Sequence, residues 1–289
     1  MIVIAVYKIL VCLSSLFLEA VSYILYKQFL SSTKEALYMV SFNEVLSAVK
    51  SAKLVNLSHQ IDENSPHFPL LPNLKKKDVF TLKDGFHVQE FSVVGQYGTH
   101  IDAPIHFIAG GKWLDEIPLE DLLLPLYVID KSDAVAVNPN YELTKQDILA
   151  FEKYHGKIQP ESFVAFRSDW SKRWPSQEAL TNLDENGVQQ TPGWSREALE
   201  FLIHERHVKA IGHETFDTDS GQAVANAGGK LQQEYYVLEQ GVYQVEVLAN
   251  LDKLPPTGAL ISIAYPNWKE ATGSPVRAIA YVFENDVTD

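Results

Sequence analysis

The stretch Gln96-Tyr97-Gly98-Thr99-His100-Ile101-Asp102-Ala103-Pro104-Ile105-His106 concentrates side chains that bind metal ions and move protons. Gly95, Gly98 and Pro104 argue against a continuous helix across it. In an extended segment, residues two apart face the same way, so His100 and Asp102 project together. His106 lies four residues further on, past the stiffening Pro104, and Gln96 lies four before His100. Imidazole nitrogen and carboxylate oxygen on one face suit a divalent ion that keeps one position open for water. Such an ion acidifies water and polarises a carbonyl oxygen. His106 is then placed to carry protons between water, intermediate and leaving amine. One histidine beside a glycine is usually an ordinary hydrogen-bonded residue; four candidate side chains at this spacing fit a divalent ion with an acid/base beside it.

Composition narrows the alternatives. The 289 residues are 46% hydrophobic and 21% charged, ordinary values for a globular chain with a sizeable core. The net charge is −13, and the one basic cluster, Lys75-Lys76-Lys77, reads as a solvated turn. A nucleic-acid partner is therefore not expected, whereas a cation is. Cys12 is the only cysteine, which excludes an internal disulfide and a thiolate metal cluster. A metal must then be held by His, Asp, Glu or amide oxygen, as zinc, manganese, iron or magnesium can be. The lack of disulfides fits a reducing, cytoplasmic setting.

Several elements must position these groups. Strands are expected at Ala52–Ile61, Val79–Leu82, Phe86–Val94, Leu126–Asp130, Phe163–Phe166, Val208–Gly212, Val242–Ala249, Ala259–Ala264 and Val276–Glu284. Asp84-Gly85 marks a turn between the second and third. Leu143–His155 has helical spacing with Thr144 as its cap, and Ser195–His207 is a second helix burying Ala198, Leu199, Leu202 and Ile203. The alternation gives one α/β domain. Residues 1–38 stand apart. Met1–Leu30 is apolar, but its longest charge-free run, Ile9–Leu18, is too short to span a bilayer. A span from Ile2 to Tyr26 must tolerate Lys8 and Glu19, each costing roughly 2.5–3.5 kcal/mol near a helix centre. Three readings stay open: an extension upstream of a true start at Met39, a membrane-associated segment, or a packed helix. Residues 39–289 form the working domain in each.

From Gly98 through His106 the sequence matches His-x-Gly-Thr-His-x-Asp-x-Pro-x-His, and here it resembles the cyclase-like amidohydrolases, which include bacterial kynurenine formamidases and isatin hydrolases. Phe166–Ser171, Thr191–Ser195, Ala210–Thr215, Glu246–Leu251 and Gly273–Arg277 extend the resemblance across roughly residues 54–282. It implies a swivelling β/β/α single domain with a mixed sheet, a homodimer or homotetramer, and one or two divalent ions. It also implies hydrolysis of an aryl formamide or a cyclic amide, with a role in tryptophan catabolism to kynurenine. By position it makes His100, Asp102 and Glu246 metal ligands and His106 the acid/base. Two positions depart from the pattern. Gln96 stands where the family has its first histidine, and Glu234 stands where many members have another, twelve residues before the glutamate. As oxygen ligands, Gln96 and Glu234 lean the site toward manganese, or a single zinc. They weaken formylkynurenine as the substrate and keep a non-catalytic binding protein open as a rival; a lactone or ester hydrolase is the rival among enzymes.

Further candidates are positional. His213, Glu214, Asp217 and Asp219 follow a strand end, where α/β sites gather, and His213 and Asp217 are expected to touch substrate. Of the five tryptophans, Trp170 is placed near the site. Arg277 is a candidate for a substrate carboxylate, with a structural ion pair as its competitor. His59 and His67 flank a turn near the pocket, and His204 and His207 are read as surface residues.

Overall fold

Phe163–Arg167, Ala210–His213 and Tyr243–Glu246 are apolar or buried at almost every position, as strands covered on both faces require. They form the centre of the sheet in the computed structural model, which describes residues 41–283. The chain divides between Lys50 and Ser51. On the first side lies helix α1 (Phe42–Ser51), whose Phe42, Val45 and Val49 are exposed. The apolar segment Met1–Leu30 and residue Glu284 lie outside the described residues. Among those described, no helix is long and apolar enough to cross a membrane.

The second side holds a nine-stranded mixed sheet. Its strands are β1 (Lys53–Asn56), β4 (His100–Asp102), β5 (Leu123–Asp130), β7 (Phe163–Arg167), β9 (Ala210–His213), β10 (Tyr243–Glu246), β11 (Ala259–Ala264), β12 (Gly273–Pro275) and β13 (Arg277–Val282), in the order β1-β13-β11-β5-β7-β9-β10-β4-β12. The four strands from β5 to β10 run parallel, and antiparallel pairs flank them on both sides. Two short sheets stand apart: hairpin β2 (Lys75–Phe80) with β3 (Val88–Ser92), and β6 (Glu142–Leu143) with β8 (Gly193–Trp194). The helices of this part are α2 (Ser132–Val137), α3 (Lys145–His155), α4 (Gln177–Thr181), α5 (Arg196–Glu200), α6 (Gly221–Asn226) and α7 (Gln232–Glu239).

Alternation along each strand sorts the core. Phe163, Ala165, Tyr243 and Val245 enter one cluster with Ile101, Val55, Ile261 and Ala278. Strands from both ends of the sheet share that cluster, so the sheet curls around it. Val164, Phe166 and Ile211 face the other way, onto Leu143, Ile148, Phe151, Leu199 and Leu202. Thr144 caps α3, accepting from Asp147 N at 3.2 Å, and Ser195 caps α5, accepting from Ala198 N at 3.2 Å, as their sequences predict.

Several boundaries differ from expectation. The first strand stops at Asn56 rather than running to Ile61, because the Asn56 side chain binds both backbone groups of Ser58 and turns the chain. The helix from Ser195 is regular only to Glu200 and continues as a π turn over Phe201–Glu205. Lys75-Lys76-Lys77 is solvated but is strand, not turn; Lys77 pairs with Glu90 across the hairpin at 2.9 Å. The strand expected at Val79–Leu82 accordingly ends at Phe80, and Thr81–Asp84 forms a capped 3₁₀ turn.

Gly193 holds β8 against the loop that leads to α6. A β-carbon there would strike Ser220 N, and would lie 2.5 Å from the Asp219 carbonyl carbon and 2.7 Å from Thr218 O. Gly193→Ala is expected to lower stability by about 1–3 kcal/mol through this overpacking. Urea denaturation measures it, and an unchanged midpoint would show that the loop yields freely.

Candidate metal centre

β4 and β10 pair antiparallel with Glu246 opposite His100 and Gln244 opposite Asp102. Side chains alternate, so these four share one face while Ile101 and Val245 fill the core behind them. This is the face that carries the helices, and here its packing turns from apolar to charged. His100 Nε2 lies 3.3 Å from Glu246 Oε2 and 3.6 Å from Asp102 Oδ2. His100 Nδ1 bonds to Gly98 O at 2.9 Å, which fixes the ring and aims Nε2 at the carboxylates. Gly98 has φ +63°, and a β-carbon there would collide with Ile61, so the motif needs glycine at this position. Thr99 donates to Val247 O at 2.6 Å and accepts from His59 N at 2.9 Å. Val247 follows Glu246 directly and adopts φ +54°, a conformation that β-branched residues avoid. The Thr99 hydroxyl and the bond from Val247 N to Thr215 O (3.1 Å) hold it there.

A second group of donors adjoins the first. His106, half-buried on the turn Pro104–His106, places Nε2 3.9 Å from Asp102 Oδ1. Glu234, buried in the first turn of α7, is delivered by Asp219, whose carboxylate accepts from the backbone N–H groups of Gln232, Gln233 and Glu234. That arrangement satisfies the open N-terminus of α7. His100, Asp102 and Glu246 form one potential ligand set, and Asp102, His106 and Glu234 form another; within each, the ligand atoms lie within 4.8 Å of one another. Gln96 donates its amide nitrogen to Asp102 Oδ1 at 3.1 Å. As a ligand it must present Oε1, which takes a half-turn of the amide. Any side chain on Gly273 would strike that amide.

Both sets open into one cavity of about 310 Å³. Its walls are Phe68, Leu71, Phe107, Phe216 and Leu231, and its floor adds Asp217 to the six residues already named. Four carboxyl groups thus meet in one small space, which shows in their proton affinities. Burial pushes the His100 imidazolium down, but Asp102 and Glu246 more than reverse this and hold it well above the usual range. Burial raises Asp102, yet His100, His106 and the Gln96 amide bring it to about 2. Burial, with Glu246 and Asp219 nearby, pushes Asp217 up to about 7. Burial and the surrounding carboxylates raise Glu234 well above its usual value, and its Oε2 has no hydrogen-bond partner. A buried oxygen without a partner, facing surplus negative charge and imidazole nitrogen, fits a divalent cation.

The other expected site residues fall differently. Asp217 lines the cavity. His213 does not; it is buried behind Glu246, 3.3 Å from Oε1. Trp170 is buried in the helix-side core, donating its indole N–H to Leu180 O at 2.9 Å, and is not among the cavity residues. Arg277 begins β13 exposed to solvent, also outside the cavity lining. None of these three lines the cavity: strand direction or core packing, invisible in a local motif, sets where each side chain lies. His59 stacks on Trp174 at 4.4 Å, and His67 binds the backbone oxygens of Ser65 and Leu71. Glu214 accepts from Ser168 and Ser171 and serves the fold. Gln244 and Thr218 were not anticipated, although Gln244 sits two residues before Glu246 on a strand and so must share its face.

The chain belongs to the "Putative cyclase" family, whose profile matches residues 55–220. It is 33% identical to isatin hydrolase of Roseibium aggregatum over 248 residues, 80% of this chain and 92% of that protein. Among solved structures it is similar to isatin hydrolase A from Labrenzia aggregata bound to benzyl benzoate, with a TM-score of 0.77, 34% identity, and 84% of this chain and 99% of that one covered. An isatin hydrolase bound to the product analogue thioisatinate also gives a TM-score of 0.77, at 29% identity, covering 84% of this chain and all (100%) of that one.

The crowded carboxyls set a pH dependence for the metal-free protein. Glu234 and Asp217 keep protons in the folded state that the unfolded chain has already released, and His100 keeps its proton above 6.5. Above about pH 6.5 the folded state therefore binds more protons than the unfolded one, and stability falls as the pH rises from there through the raised values of these three groups. His59, lowered to about 4 by burial, and Asp102 work in the opposite sense, but their windows lie below 6.5 and 3.8. The melting temperature in excess chelator is expected to decline as the pH rises from about 6.5. A flat or rising profile would contradict the charge crowding.

Proposed function

We propose that the protein is a metal-dependent hydrolase that opens a cyclic amide fused to an aromatic ring, as in isatin. What carries this reading is the buried His100–Asp102–Glu246 cluster at the floor of an apolar-walled cavity, with His106 at its edge, in a chain that resembles isatin hydrolase over most of both lengths. His100, Asp102 and Glu246 hold the ion, with Glu234 and a turned Gln96 available to complete the set; this oxygen-rich donor set favours manganese over a pair of zinc ions. The ion, when bound, acidifies a water and stabilises negative charge on a carbonyl oxygen.

The remaining work belongs to the chain. His106 Nε2 takes the proton as the water oxygen bonds to the carbonyl carbon, and returns it to the nitrogen as the C–N bond breaks. The products are a carboxylate and an amine. Asp102 Oδ1 lies 3.9 Å from His106 Nε2 and faces the imidazole. Phe68, Phe107 and Phe216 offer faces and edges to an aromatic ring and exclude bulk water. An aryl formamide is the second reading, suggested by the motif and weakened by Gln96 and Glu234. The finer architecture is the swivelling β/β/α fold, and the assembly is a homodimer or homotetramer.

The test is turnover of isatin, formylkynurenine and a simple aromatic lactone by the full chain, stripped of metal and then loaded with manganese or zinc. Metal-dependent opening of isatin is the expected result; a loaded protein inert toward every cyclic amide offered would sink the proposal. His106→Ala is expected to lower kcat about 10²–10⁴-fold while manganese stays bound. Loss of the metal together with activity would move His106 into the ligand set.

A further inference from the structure

Glu246 is gripped from the side away from the cavity. Its Oε1 lies 3.3 Å from His213 Nε2 and 3.0 Å from Gln244 Nε2. Each of these donors is in turn held by a partner that fixes its orientation. The Trp194 indole N–H is a donor only, and it points at His213 Nδ1 at 3.3 Å. In the tautomer that accepts this bond, the ring hydrogen sits on Nε2, facing Glu246. The Thr218 hydroxyl donates to Gln244 Oε1 at 2.6 Å. The Gln244 NH₂ group must therefore face the carboxylates, and it reaches Asp102 Oδ2 at 3.2 Å as well as Glu246. Trp194, Thr218, Gln244 and His213 are all buried, at 0–1% exposure, so no water competes for these bonds. Glu246 Oε2 is left pointing to the His100 side.

We propose that His213 and Gln244 are positioning residues that, backed by Trp194 and Thr218, tie Glu246 Oε1 and present Oε2 alone to the divalent ion. The inference rests on the metal-dependent reading given above. A free carboxylate in this crowded cavity swings toward whichever cation or proton is nearest, and ordering it would draw on the binding energy of the ion. With Oε1 already committed to two N–H donors, Glu246 is ordered before the ion arrives. His213 thus serves the site from behind Glu246, not from the substrate side.

Manganese titration of the metal-stripped full chain by calorimetry tests this, comparing the unaltered protein with His213→Met, His213→Gln and Thr218→Val. His213→Met keeps bulk but removes the donor, and is expected to weaken manganese binding about 10–100-fold. His213→Gln restores an N–H near the place of Nε2 and is expected to recover most of that loss. Thr218→Val frees the Gln244 amide and is expected to weaken binding in the same direction. Melting in chelator checks the fold of each variant, and Thr218→Val decides the matter if His213→Met does not fold. Folded variants that all bind manganese like the unaltered chain would overturn the positioning role, as would equal weakening by Met and Gln at position 213. If the unaltered chain binds neither manganese nor zinc, the metal-dependent reading itself fails, and this inference fails with it.

Discussion

Four carboxyl groups, those of Asp102, Asp217, Glu234 and Glu246, meet in a cavity of about 310 Å³. Like charges brought together away from water repel strongly unless protons or cations intervene. Much of the surrounding structure can be understood as the means of holding them there. His100 stands between Asp102 and Glu246, whose carboxylates hold its imidazolium well above the usual range. Gln96 and Gln244 supply amide hydrogens to Asp102, and Asp219 anchors the helix that brings Glu234 in. Without a cation, the cluster settles by taking up protons on Asp217 and Glu234. An arrangement that costs stability when empty and fits a divalent ion when filled is characteristic of a site kept for its chemistry.

The register between β4 and β10 turns this crowding into a defined geometry. A slip of one residue would send His100 and Asp102 into the core and bring Ile101 to the cavity. Three devices oppose that slip. Gly98 makes its left-handed turn just before the strand, Pro104 ends it just after, and Thr99 bonds to the strained Val247 at the end of the partner strand. Strain in the residue next to a ligand is the kind of local cost that a surrounding framework must over-determine. The small residues of the motif are therefore as much a part of the site as its histidines.

This explains what the sequence could and could not disclose. The motif placed His100, Asp102 and His106 because a short segment carries all three and sets their spacing. Apolar runs located the central strands, since parallel strands buried on both faces leave a dense local signal. Thr144 and Ser195 marked helix starts through a local hydrogen bond. What stayed hidden shares a cause: it concerns where a side chain points after the chain has folded. Core packing places Trp170, and strand direction Arg277, outside the cavity lining. His213 sits on the strand end where a site residue was expected, one layer further back. Gln244 and Thr218 meet only through long-range pairing and match no local motif. Lys75–Lys77 looked like a turn because strand pairing in an isolated hairpin leaves both faces solvated.

The ligand candidates come from two distant parts of the chain: β4 with the turn after it, and α7 with β10. Each is anchored independently: β4 by pairing on both edges, α7 by Asp219, and Glu246 by His213 and Gln244. An ion bridging them would bind to a framework already close to its final form, so little of its binding energy would go into ordering the chain. The polar floor would then set where a carbonyl sits, while the partly exposed apolar walls set which ring can accompany it. The division separates reaction from specificity. The centre of the floor, His100, Asp102 and Glu246, is built from paired strands, where a substitution disturbs register and charge together. Phe68, Leu71, Phe107, Phe216 and Leu231 come from loops, turns and a helix end, where a change of side chain reshapes the cavity and leaves the sheet intact.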